Sequence, residues 1–236
     1  MKSLSAAALL AILPLMVNCA GMRDPSASAL PAARHKLVSS PQPSVLFVGN
    51  SFSQDVPPEF ARIATERGRQ VRTDQSTNGG WTLAQHAGCP DTLEKIRSGK
   101  WDVVILQEQS RMPARSPWVR RIRMRPALAK LAREVRAAGA VPLLMQTWGY
   151  RHGDSSQAND DFHKMTERLR QGTHEEAARV KLSVVPVGDI WQNEVEQGRA
   201  DDLFDSDGYH PTRIGNQTTA QTVYDLLFAE PNARDS

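Results

Sequence analysis

Two short segments contain the residue types that acyl transfer from serine requires: a nucleophile, a base and a group that orients the base. In Val45-Leu-Phe-Val-Gly-Asn-Ser51-Phe52, an apolar, β-branched run ends at Gly49 and delivers Ser51 just beyond. Glycine can take the backbone conformation that turns a chain sharply and exposes a hydroxyl. In Asp205-Ser-Asp207-Gly-Tyr-His210-Pro211, a carboxylate and an imidazole stand three residues apart in a glycine-containing turn. Asp207 could hold the imidazole tautomer while His210 takes the serine proton. Pro211 biases His210 away from helical geometry and opens the next helix. Each segment also has an ordinary structural reading. A serine at a strand end can cap the adjoining segment, and an aspartate in a turn can bond its own backbone. Ser53 is a rival nucleophile. No other histidine or cysteine has ligand-like spacing to His210, so a metal site is not expected.

These residues must be positioned by the elements between them. Strand-like runs at 45–48, 70–73, 103–106, 141–146 and 182–187 alternate with helical ones at 58–67, 91–98, 126–138, 160–178 and 212–228. Several strand runs are continuously apolar, the mark of strands buried on both faces. The alternation predicts an α/β fold, a single-domain three-layer α/β/α sandwich on a parallel sheet. In such sheets function gathers at the carboxyl ends of the strands. Ser51, the Gly79-Gly80 pair, Gln107 to Gln109 and Trp148 all follow a strand candidate closely. Trp148, followed by Tyr150, could line a substrate cleft or pack. His86 reads as structural, Cys89 as a small buried residue, and Asp189 and Trp191 as caps or packing at the end of the fifth strand.

The 236 residues carry a formal charge of +3, too little to argue for nucleic acid as a partner. Much of it comes from residues 111–136, with nine Lys/Arg and one acid, Glu134. This is a solvated helix face or a surface for anionic headgroups or envelope polymer. Mean hydropathy of −0.46 is that of an ordinary globular protein. Lys2 followed by an apolar run at 6–17 reads as an export signal, too short for a comfortable membrane span. Cys19 resembles the acceptor of a bacterial lipoprotein signal. Asn18 stands where that signal prefers a small residue, and ordinary cleavage nearby is the alternative. The expected organisation is an export signal at 1–19, an extended Ala/Ser/Pro-rich tether at 20–43, a folded domain at 44–230 and a tail at 231–236. The expected location is the bacterial periplasm or outer surface, with membrane anchoring through Cys19.

Gly49-Asn50-Ser51 resembles the first block of the SGNH (GDSL-type) hydrolases, and Asp207-Gly-Tyr-His210 resembles their last. Position 53 is Ser rather than Gly, which separates the first block from the nucleophile elbow of α/β-hydrolases. The resemblance implies a flavodoxin-like sheet and a Ser51-His210-Asp207 triad that cleaves esters, often acetyl groups on carbohydrates or lipid esters. Asn78-Gly79-Gly80-Trp81-Thr82 is similar to the second block, whose glycine donates an N–H to the oxyanion; Gly80 is the better match and Gly79 the alternative. The third block of the family reads Gly-X-Asn-Asp. Here it is Gln107-Glu108-Gln109-Ser110, with Gln109 at the Asn position and Gln107 as its rival. This variant is similar to a branch of the family of unassigned function.

The leading expectation is therefore a serine ester hydrolase acting on a small ester or acylated carbohydrate, without metal or organic cofactor. An O-acyltransferase of envelope polysaccharide and a non-catalytic carbohydrate-binding domain on the same fold are the alternatives.

Overall fold

The structure is a computed structural model that describes residues 29–228. The expected export signal, Cys19 and the tail at 231–236 lie outside those residues. Five strands form one sheet: β1 (Ser44–Gly49), β2 (Arg72–Thr77), β3 (Val103–Gln107), β4 (Val141–Met145) and β5 (Ser183–Val185). Their order is β2-β1-β3-β4-β5 and every pairing is parallel. Parallel strands need crossovers, which the helices supply. They are α1 (Ala29–Ser39), α2 (Val56–Glu66), α3 (Leu83–Gly88), α4 (Pro90–Ser98), α5 (Pro117–Arg123), α6 (Arg125–Ala137), α7 (Phe162–Val180), α8 (Val187–Glu196), α9 (Ala200–Leu203) and α10 (Arg213–Phe228). The fold is the three-layer α/β/α sandwich expected of an SGNH hydrolase.

Alternation along the strands divides the core in two. Val45, Phe47, Val103 and Ile105 meet α1, α2, α8 and α10 on one face of the sheet. Leu46, Val48, Val104 and Leu106 meet α3, α4 and α6 on the other. Side chains of successive strand residues point to opposite faces, so an unbroken apolar run is what a doubly covered strand needs. The edge strand β2 is the exception, with the polar sequence RTDQST and partial burial throughout. It begins two residues later than the hydrophobic pattern suggested and runs on to Thr77. At an edge, polar side chains cost little and guard against further strand addition.

The tether expected at 20–43 is not extended throughout. Residues 29–39 form α1, with Pro31 in the first turn, where no intrahelical N–H is lost. Ala33 and Leu37, one turn apart, are fully buried in the core, and Leu30 packs partly against it. The Leu30 N–H donates to Ser183 Oγ at 3.1 Å, and Arg34 Nε donates to the Leu226 carbonyl at 2.8 Å. The folded unit thus includes α1. The Ala/Ser/Pro composition hid a helix whose stability comes from docking rather than from propensity.

Strand β5 stops at Val185 because Pro186 has no N–H for the ladder. Asp189 and Trp191 accordingly lie on α8 rather than at a strand end. Cys89 is half-buried rather than buried. Among the described residues, no helix is long and apolar enough to cross a membrane.

Leu37→Ala removes a fully buried side chain and is expected to lower unfolding free energy by about 2–5 kcal/mol, read by urea denaturation. A residue in an unstructured tether would give no change.

Candidate active site

Gly49 ends β1 against the side chain of Gln107. A Cβ there would lie 2.4 Å from Gln107 Oε1, so only glycine lets β1 and β3 approach this closely. Gln107 Oε1 accepts from the Asn50 N–H at 2.9 Å and the Ser53 hydroxyl at 3.1 Å, while its Nε2 donates to the Glu108 carbonyl. Both ends of the amide are committed inside the protein. Gln107 is a buttress under the serine turn, which removes it as the alternative oxyanion donor. Ser53, buried and bonded to Gln107, is likewise removed as a rival nucleophile.

Asn50 is also buried and ties the turn laterally. Its Nδ2 donates to the Trp81 carbonyl at 3.1 Å, and its Oδ1 accepts from the Phe52 N–H at 3.1 Å. Behind the turn, His86 Nε2 donates to the Gly49 carbonyl at 2.8 Å and Nδ1 faces the Thr92 hydroxyl at 3.1 Å. Burial holds the His86 pKa below its ordinary value despite the Gly49 contact, so this ring is neutral and structural.

The turn leaves Ser51 pointing at the loop between α9 and α10. Ser51 Oγ lies 2.9 Å from His210 Nε2, and His210 Nδ1 lies 2.6 Å from Asp207 Oδ2. An Nδ1–H donating to the carboxylate leaves Nε2 free to accept the serine proton. Asp207 Oδ1 accepts from the N–H groups of Tyr209 at 3.0 Å and His210 at 2.9 Å. Burial alone would raise the Asp207 pKa, but those two N–H groups and the imidazole hold it below the ordinary carboxylate value. Gly208, at φ +76°, permits the tight turn that places Asp207 beneath His210.

The histidine loop is clamped from several directions. The Asp205 N–H donates to the His210 carbonyl at 2.9 Å, and Phe204 bridges Pro211 in antiparallel fashion. The Arg151 N–H donates to the Gly208 carbonyl at 2.8 Å, and Trp148 Nε1 donates to the Tyr209 carbonyl at 3.1 Å. Trp148 is fully buried and does not line the cleft. It stacks face to face between Phe52, at 4.7 Å, and Trp191, at 3.8 Å. The expectation that it faces substrate is corrected: Tyr150, two residues on, reaches the cleft instead, together with Tyr209.

The cleft measures about 790 Å³ and brings Ser51 and His210 together with Gly79, Gly80, Gln109, Arg111, Tyr150, His152 and Tyr209. Gly80 sits at the third position of a turn closed by the Trp81 N–H on the Asn78 carbonyl, 3.1 Å, with φ +71°. Glycine is required there; Gly79 has no positive φ. The N–H groups of Ser51, Gly79 and Gly80 donate to no acceptor among the described residues. Gln109 is oriented from its oxygen end, where Oε1 accepts from the Arg111 N–H at 3.0 Å. Its Nε2 has only Ser110 Oγ at 3.4 Å and remains the available donor.

One buried group went unnoticed in the sequence. Glu108 Oε1 accepts from the Leu83 N–H at 3.0 Å and the Gln109 N–H at 2.7 Å, joining the start of α3 to the end of β3. Its Oε2 is buried without a partner among the described residues. Burial pushes the carboxyl up to about 7 against the pull of both N–H groups. A carboxylate flanked by two strand-end glutamines was the available signal.

No protein-family model matches the chain, and none of the curated proteins matches it. Solved structures do. A protein from Slackia heliotrinireducens assigned to the SGNH hydrolases is 26% identical, with a TM-score of 0.65 over 79% of this chain and 99% of its own. A DUF4886 family protein from Bacteroides uniformis is 21% identical, with a TM-score of 0.67 over 80% and 84%. An acetyl xylan esterase, AlAXEase, is 14% identical, with a TM-score of 0.60 over 78% and 99%. The chain has the SGNH-type hydrolase fold, and its structural neighbours include hydrolases and esterases.

The folded protein holds the Glu108 proton more tightly than the unfolded chain, whose glutamate titrates near 4.5. Its contribution is complete below about pH 4.5 and declines as pH rises to about 7, by up to about 3 kcal/mol. Urea titrations across that range should show a slope that Glu108→Gln flattens. An unchanged slope would assign it elsewhere.

Proposed function

We propose that the protein is a serine ester hydrolase. The observation that carries this reading is the continuous hydrogen-bonded line from Ser51 Oγ through His210 to Asp207, opening onto a cleft lined by unpaired backbone N–H groups. Ser51 Oγ attacks the acyl carbonyl while His210 Nε2 takes its proton, and Asp207 supports the resulting imidazolium. The Ser51 and Gly80 N–H groups and the Gln109 amide receive the negative oxygen of the tetrahedral intermediate. Collapse breaks the ester C–O bond, and the alcohol leaves with the proton from His210. Water, deprotonated by the same ring, then attacks the acyl-Ser51 ester and releases the carboxylic acid, restoring the serine.

Tyr150 and Tyr209, whose ring centroids are 5.1 Å apart at the cleft, suit a sugar or other flat-faced alcohol half. Together with the acetyl xylan esterase among the neighbours, they support acetylated carbohydrate as the substrate class. The free donors at Gly80 and Gln109 weigh against a purely binding role. We also propose export with Cys19 as an acyl acceptor, which mass spectrometry of the mature N-terminus tests; an N-terminus beyond residue 19 would overturn it.

Ser51→Ala should abolish release of acetate from p-nitrophenyl acetate and acetylated xylo-oligosaccharides while the fold, read by circular dichroism, persists. Full activity in that variant would sink the proposal. Gln109→Ala should lower turnover roughly 10²–10³-fold with a smaller effect on KM. Equal turnover would remove Gln109 from the oxyanion site.

A further inference from the structure

Helix α5 presents an apolar pair that the fold does not use. Trp118 and Ile122 stand one helical turn apart and are 63% and 50% exposed. Around them, the charges are sorted by direction. Arg120, on the inner side, is buried and pairs with Glu175 and Glu176, and Arg125 pairs with Glu176 at 2.7 Å. Glu134, the one acid of the basic stretch, pairs with Arg97 at 2.8 Å. The nearby carboxylates are therefore taken by inward or distant cations. Arg121 and Arg123, exposed on either side of Ile122, have no carboxylate partner among the described residues.

We propose that α5 docks on an anionic lipid bilayer, with Trp118 and Ile122 at the boundary between headgroups and acyl chains and Arg121 and Arg123 on the headgroups. Trp prefers that boundary because its ring is amphipathic. Arginine can lay its stem along apolar surface while its guanidinium meets phosphate. Ile122 decides between anionic surfaces: a hydrated acidic polysaccharide could satisfy the arginines and stack on Trp118 but offers nothing to an exposed isoleucine. Two apolar side chains and two cations make a weak, reversible contact, one that adds to a second attachment rather than replacing it.

The surface is coupled to the cleft by a short, bonded segment. Gln109, Ser110 and Arg111 line the cleft. The Met112 N–H then donates to the Gln109 carbonyl at 2.9 Å, and the Arg115 N–H to the Met112 carbonyl at 3.1 Å, in successive turns that lead into α5. Docking would thus hold the cleft close to the envelope surface whatever ester it cleaves.

Trp118 also supplies the readout. Of the five tryptophans, Trp101, Trp148 and Trp191 are buried and Trp81 is half-buried, and none lies in residues 1–28. The full chain, mixed with vesicles of phosphatidylglycerol and phosphatidylcholine carrying brominated acyl chains, should show blue-shifted and quenched tryptophan emission. The quenching should disappear in Trp118→Phe, and Ile122→Ser should weaken binding. Arg121→Gln and Arg123→Gln should each weaken vesicle partition about fivefold, and raised salt should do the same. Quenching that survives Trp118→Phe, equal binding to pure phosphatidylcholine, or unquenched emission with retention on an acidic polysaccharide would each overturn the proposal.

Discussion

The face-to-face column of Phe52, Trp148 and Trp191 holds the two halves of the site in register. Phe52 follows the serine, Trp148 follows β4, and Trp191 belongs to α8, so three distant segments meet in one stack with both ring pairs within 4° of parallel. Such pairs contribute about 0.5–1.5 kcal/mol each beyond their buried area. Their geometric effect matters more. Trp191 Nε1 donates to Thr219 Oγ1 at 3.2 Å, anchoring the column to α10, and Trp148 Nε1 fixes the backbone of the histidine loop. Because Phe52 also lies edge-on to His210, at 5.7 Å, a shift of either loop disturbs the same stack.

Beneath the column, the carboxyl end of the sheet does its positioning with side-chain amides and carboxyls rather than with loops alone. Gln107 closes the gap between β1 and β3 that Gly49 leaves open. Glu108 ties α3 to β3, and only Gln109, past the end of the strand, keeps its NH₂ available. Three consecutive polar residues therefore have three separate tasks, two internal and one facing the cleft.

The interior strands were legible because parallel strands covered on both faces need unbroken apolar runs, and Val45 to Val48 and Val103 to Leu106 have them. Five helices became visible only in the fold: α3, α5 and α9 are too short to show a period, α8 begins where an apolar run reads as the end of a strand, and α1 depends on docking Ala33 and Leu37. Ser51, Gly80 and Gln109 could be placed together because they follow β1, β2 and β3, and loops gather at the carboxyl ends of a parallel sheet, whereas His210, between α9 and α10, follows no strand directly. Trp148 could not be assigned from sequence, since the choice between lining and packing depends on Phe52 and Trp191, remote in the chain. The choice between Gln107 and Gln109 likewise turned on partners supplied by another strand.

Asp207 and His210 share one four-residue turn whose internal bonds are nearly all local. The pair is a preassembled unit whose own shape owes little to the sheet, while its aim toward Ser51 owes nearly everything to contacts from elsewhere. Loosening of those contacts would therefore change the 2.9 Å approach of Ser51 to His210 while leaving the 2.6 Å bond between His210 and Asp207 in place. What the tertiary contacts supply is the alignment of the two segments rather than the pairing of Asp207 with His210.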